Sequence, residues 1–183
     1  MGSRPTSAST PSILVRLSRP DDAAELERID RATWTQAVTP APPPPSGSRF
    51  FGERSAPDDV LVAELDGAVA GYALLGRATP LPASDHVVTI AGLAVDPAWQ
   101  RRGVGRALVQ AAVSEAERRG ARRLTLRVLG PNVPARRLYA ACGFVVDGIL
   151  RGEFHLGGGD VDDVLMARRL DGAAPPTPGA AVS

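Results

Sequence analysis

Between Leu93 and Arg106 the chain changes its repeat within a few residues, and this junction restricts the fold more than any other stretch. An apolar run closes at Asp96-Pro97, after which Gln100, Arg101, Arg102, Gly103, Val104, Gly105 and Arg106 lead into a new pattern. There Val104, Ala107, Leu108, Ala111 and Ala112 recur at i, i+3, i+4, i+7 and i+8, which predicts a long amphipathic helix ended by Gly120. A strand that passes through a glycine turn into a helix N-terminus is suited to hold an anion. First-turn N–H groups have no intrahelical acceptor and the helix dipole adds about half a positive charge, so a diphosphate can take several hydrogen bonds there. Gly103 and Gly105 carry no Cβ to keep phosphate oxygens from the main chain, and Arg101, Arg102 and Arg106 add permanent charge. A Walker loop would need a Lys, which the sequence lacks, and the dinucleotide fingerprint would need a glycine where Leu108 stands. The same residues also suit a plain tight turn with solvated arginines. A later helix weighs against that reading.

The remaining elements follow from period and punctuation. Ile13 to Leu17 alternates as a strand, and Pro20, Asp21 and Asp22 open a helix through Ala23, Leu26, Ile29 and Thr33. From Val38 to Ala56, with Pro42 to Pro45 inside it, regular structure is excluded and a long loop is predicted. Val60 to Leu65 and Val69 to Leu75 flank Asp66-Gly67, the signal of a tight hairpin. His86 to Val95 reads as a strand, Leu124 to Val128 as another, and Asn132 caps a helix that Gly143 stops. Phe144 to Leu150 and Val161 to Leu170 are expected to close the sheet as a pair across Gly157-Gly158-Gly159. This order predicts an α/β fold: a mixed, mostly antiparallel sheet of about seven strands, with helices on both faces.

A chain of 183 residues suits one domain, placed at 12–171, with Ser/Thr/Pro-rich 1–11 and Ala/Pro/Gly-rich 172–183 expected to be disordered. A net charge of +1 and 4% aromatic residues argue against nucleic acid, and no apolar run is long enough for a bilayer. All 21 basic residues are Arg, which excludes Schiff-base and lysine general-base chemistry. The lone Cys142 falls in an apolar helix, so packing is expected of it. With no signal-like segment at the start, the cytoplasm is the expected compartment.

The later helix carries Asn132, Ala135, Leu138, Tyr139, Gly143 and Phe144. Together with Gln100, Gly103 and Gly105, which match the pattern Gln/Arg-x-x-Gly-x-Gly/Ala after a strand, these make residues 86–170 resemble the GNAT superfamily of N-acetyltransferases. The resemblance implies acetyl-CoA as co-substrate, no metal, and a primary amine acceptor on a small molecule, peptide or protein, in a monomer or homodimer. It implies that the strands at 86–95 and 123–129 splay, so that the pantetheine arm pairs with Leu93, Ala94 and Val95. The diphosphate would then rest on the main chain from Arg101 through Gly103, Val104 and Gly105 to Arg106, with Asn132 bonding the cofactor. The N–H near Leu93 or Ala94 would hold the oxyanion, and Tyr139 would protonate the departing thiolate.

No general base is assigned. Some family members place a carboxylate on a splayed strand, where this chain has Thr89 and Arg127; Glu153, Asp163, His86, His155 or a water chain are the substitutes. That departure keeps open a non-catalytic acyl-CoA-binding module as the alternative to an enzyme.

Overall fold

Apolar residues on both faces of the central strands require cover above and below, and the computed structural model supplies it with helices on each side. It describes residues 12–45, 47–52 and 55–172; the ends expected to be disordered, 1–11 and all but the first residue of 172–183, lie outside the described residues. In chain order the elements are β1 (Ile13–Leu17), α1 (Ala23–Thr33), β2 (Val60–Leu65), β3 (Ala68–Arg77), β4 (Val87–Val95), α2 (Val104–Arg118), β5 (Arg123–Leu129), α3 (Val133–Ala141), β6 (Val145–Leu156) and β7 (Gly159–Arg169).

The sheet runs β1-β2-β3-β4-β5-β7-β6, and every neighbouring pair is antiparallel except β4 and β5. That parallel pair needs a crossover, which α2 provides. This is the α/β architecture expected from the order of elements. On one face α1 buries Leu26 and Ile29 against Val60, Val62, Tyr72 and Ala94. On the other, Leu108, Val109 and Ala112 of α2 pack with Tyr139 and Phe144 on Leu61, Ala63, Leu124, Leu126 and Val128. Neighbouring residues of β2 thus feed opposite cores. None of the helices among the described residues is long and apolar enough to cross a membrane.

The closing pair differs from expectation. β6 runs on to Leu156 where the reading from sequence stopped at Leu150, and Gly159 belongs to β7, so the turn is Gly157-Gly158 alone. Two register shifts, at Val146/Gly148 and Leu150/Phe154, let β6 bend while keeping its pairing. As an edge strand exposed along most of its length, it also lacks the apolar alternation that would have revealed it.

One irregularity positions the site. β4 pairs with β5 only from Val87↔Arg123 to Ile90↔Leu126, although β4 continues to Val95 and β5 to Leu129. At that point Leu74 faces Gly92 and Leu75 faces Ile90, leaving Ala91 as an extra residue in β4. A bulge bends its strand, so β4 follows β3 and leaves β5. The splay expected of these strands is present.

Candidate active site

A cleft of about 990 Å³ occupies the gap between β4 and β5 and opens towards both helical layers. Leu93, Ala94, Val95, Gln100, Asn132 and Tyr139 line it, which brings six of the sequence-predicted residues together. Arg101, Arg102, Gly103, Val104, Gly105 and Arg106 do not line it; they form the adjoining turn and the start of α2.

Direction along β4 decides what the gap offers. The Asp96 N–H bonds Ala70 O at 2.9 Å, towards β3, and alternate residues of an extended strand face opposite sides. Ala94 therefore directs its peptide groups to β3, and Leu93 and Val95 turn theirs into the gap. The Gln100 side-chain amide donates to Val95 O at 3.1 Å, so Gln100 folds back over the strand end. Gly71 permits this tight wall, because a Cβ there would lie 2.6 Å from Ala94 O.

In the turn, Arg101 and Gly103 both adopt positive φ, +65° and +90°, and Gly103 is the residue that precedes the first turn of α2. No acceptor among the described residues takes the N–H groups of Val104, Gly105 or Arg106. Arg101, Arg102 and Arg106 are exposed around them, with the Arg102 guanidinium carbon 5.1 Å from the centre of the Trp99 ring. The two glycines have structural reasons beyond phosphate approach. Gly103 needs its left-handed backbone, and a Cβ on Gly105 would meet Leu138 Cδ2 at 3.2 Å, so this glycine sets how closely α2 and α3 pack. Asn132 caps α3 by accepting the Ala135 N–H at 3.2 Å, which occupies its carbonyl and leaves the amide NH₂.

Tyr139 is anchored by the way α3 ends. Gly143, at φ +85°, donates to Ala140 O, and Phe144 donates to Tyr139 O at 3.1 Å, the double closure of a Schellman motif. Its usual apolar contact is here the Phe144 ring, 5.9 Å from that of Tyr139. The spacing Tyr139, Gly143, Phe144 is thus one device that fixes the phenol against the sheet. The Tyr139 hydroxyl makes no hydrogen bond among the described residues, and burial, with a smaller contribution from Cys142, pushes its pKa up to about 12.

The opposite side of the cleft is formed by α1, the loop after it and the strands beyond the gap. Arg127 reaches Asp163, which is buried, and approaches Glu153 at 3.5 Å. The Thr89 hydroxyl is spent on Thr125 O at 3.2 Å, and neither His86 nor His155 lines the cleft; His155 pairs with Asp160 near the β6–β7 turn. Three ties were not foreseen. The Tyr72 hydroxyl donates to Asp30 at 2.5 Å, the Phe50 N–H to Glu27 at 3.1 Å, and Trp34 Nε1 to Ala41 O at 3.0 Å. The only hint in the sequence was an apolar-strand tyrosine, whose hydroxyl needs a partner when buried. No group of metal-ligating side chains occurs among the described residues.

An uncharacterized N-acetyltransferase of Mycobacterium tuberculosis (strain ATCC 25618 / H37Rv) is 31% identical over 160 residues, 81% of this chain and 98% of that protein. The [ribosomal protein bS18]-alanine N-acetyltransferase of Escherichia coli (strain K12) is 39% identical over 79 residues, 43% of this chain and 53% of the relative. The chain therefore spans about half the length of that relative. A GCN5-related N-acetyltransferase from Kribbella flavida has a TM-score of 0.68 at 28% identity, over 86% of this chain and 98% of its own. A Salmonella typhimurium protein solved with its cofactor acetyl-CoA scores 0.72 at 23% identity, over 92% and 99%, a likeness of fold alone. Residues 23–144, more than half of the chain, match the model of the acetyltransferase (GNAT) family, and the chain belongs to that family.

Proposed function

We propose that the chain is an acetyl-CoA-dependent N-acetyltransferase that passes the acetyl group to a primary amine by direct attack, without a covalent enzyme intermediate. The observation that carries this reading is the gap between β4 and β5, which joins a free main-chain edge, a set of uncapped amides and a buried phenol. These features fit a coenzyme A thioester. Leu93 and Val95 offer peptide groups to an amide-bearing arm, and Val104, Gly105 and Arg106 offer N–H groups to a diphosphate ringed by three arginines. When bound, the thioester supplies an acyl carbon open to attack and a sulfur leaving group.

The protein's own groups do the rest. The Leu93 N–H holds the carbonyl oxygen as negative charge grows on it, and the Asn132 amide orients the arm from α3. Tyr139 donates a proton to sulfur. Its raised pKa keeps it protonated at neutral pH, and the same exclusion of water makes the departing thiolate a stronger base, able to take that proton. Cys142 is buried, and burial pushes its thiol up, which suits packing and a reducing, cytoplasmic setting. The amine acceptor is supported by relatives named for N-acetylation, one of them acting on a ribosomal protein alanine.

Saturable thermal stabilisation by acetyl-CoA is expected, together with thiol release when butylamine, alanine or an alanyl peptide is added. An unchanged melting curve would overturn the cofactor assignment. Stabilisation without thiol release for any amine would leave an acyl-CoA-binding module.

A further inference from the structure

Asp30 lies in the last turn of α1 and lines the cleft. Negative charge at a helix C-terminus opposes the dipole. The residue is only half exposed, and no cation lies within ion-pair distance of it among the described residues. Its fixed side-chain partner is a phenol, Tyr72, 42 positions away in sequence. Such a charge is stabilised by a cation brought from outside the chain.

Its position says which cation. Tyr72 stands opposite Ala94, and a Cβ added to Gly92 would lie 3.9 Å from Tyr72 Cε2, so the ring leans over β4 where that strand leaves β5. Asp30 is thereby held on the α1 side of the gap, level with the segment Leu93 to Val95. The charged and titratable groups that line the cleft with it are Glu27 and Arg31 on its own helix, Arg49 on the loop, Tyr72 on β3, and, across the gap, Tyr139 on α3 and Arg127 with Asp163. Glu27 accepts the Phe50 N–H and Asp163 is taken by Arg127. Glu27 is thereby tied to the loop, whereas the bond to Tyr72 sets Asp30 beside β4, where an incoming ammonium would meet its second oxygen.

Resting on the acetyltransferase reading above, we infer that Asp30, oriented by Tyr72, docks the protonated acceptor amine and takes its proton, so that the substrate is an alkylammonium. Burial, reinforced by the Asp30 charge, holds Tyr72 far above the ordinary phenol range, so it stays a donor to one carboxylate oxygen and leaves the other to the amine. The nitrogen loses two protons. One passes through Asp30 to water before attack, and the other follows as the C–N bond forms and the C–S bond breaks. Sulfur takes one proton from Tyr139, which is replenished from solvent, so one proton is released overall.

The test compares Asp30→Asn with wild type on two nucleophiles: the best acceptor among butylamine, alanine and an alanyl peptide, which are largely protonated at pH 7, and hydroxylamine, which is neutral there. A loss in kcat/KM of about 10²- to 10⁴-fold is expected for the ammonium, recovering about tenfold per pH unit as free amine accumulates, against at most a few-fold for hydroxylamine. Equal losses on both, or an unchanged rate on the ammonium, overturn the inference. Ligand-free Asp30→Asn, whose side-chain carbonyl can still accept the Tyr72 O–H, should melt within a few degrees of wild type; a larger fall would make the residue structural instead. Wild-type protein inert towards every primary amine removes the acetyltransferase reading, a distinct result that takes this inference with it.

Discussion

The two walls of the cleft are built on different principles. The β4–α2 side offers main-chain groups: the peptide edge of Leu93 and Val95 and the uncapped N–H groups of Val104 to Arg106. Any sequence that makes the bulge, the glycine turn and the helix start reproduces that wall. On the α1 side, side chains from distant segments converge: Asp30 on Tyr72, Glu27 on the Phe50 N–H, Trp34 on Ala41 O. The comparison teaches that a constant ligand can be read by backbone, whereas a chosen acceptor needs side chains whose meeting depends on the whole fold.

The contrast can be broken from either wall. The largest effect is expected from Tyr139→Phe, which should lower kcat by about 10²- to 10⁴-fold while leaving thermal stabilisation by acetyl-CoA nearly intact. Wild-type turnover in that variant would remove the phenol from the chemistry. Gly105→Leu should abolish acetyl-CoA stabilisation and cost about 1–3 kcal/mol in urea unfolding, because the new side chain strikes Leu138. Retained cofactor binding would show that this turn tolerates bulk and is not the diphosphate cradle.

Arg28→Ala probes the link between the walls, since Arg28 of α1 pairs with the buried Asp96 at the end of β4. Burial pushes the Asp96 carboxyl up, but Arg28 and the Ala98 N–H outweigh it and hold the pKa below the usual carboxylate range. The stabilisation is then complete above that range and is lost as pH falls through the depressed value. The gap in melting temperature between wild type and Arg28→Ala should be widest near neutral pH and close in acid; a gap independent of pH would assign the loss to packing. The smallest effect belongs to Trp34→Phe, which removes one partly exposed hydrogen bond to Ala41, worth about 0.5–1.5 kcal/mol. It should raise KM for the amine and leave KM for acetyl-CoA unchanged, and equal shifts in both would erase the distinction between the walls.

Legibility followed the same division. The strand Ile13–Leu17, the Asp66-Gly67 hairpin, the helix from Val104 and the Asn132 cap were readable because period, turn residues and caps act within a few positions. The extension of β6 was not, since an exposed, bulged edge strand carries little alternation. Gly105 was readable as a motif residue, but its contact with Leu138 was not, because that contact joins two helices. Among the bases weighed from sequence, only Asp163 lies in the cleft, already held by Arg127, while Asp30 was not among them, since nothing local to α1 marks its meeting with Tyr72.

By itself, then, the amino-acid order determined the alternation of strands and helices, the anion-ready start of α2 and the device that seats Tyr139, since each is a local matter of backbone geometry and capping. Tertiary structure alone decided that Ala91 bulges and parts β4 from β5, which of Leu93, Ala94 and Val95 faces the gap, and that Tyr72 and Asp30 meet beside it. Those outcomes depend on pairing register and on contacts between segments far apart in the chain, where no short stretch of sequence holds both partners.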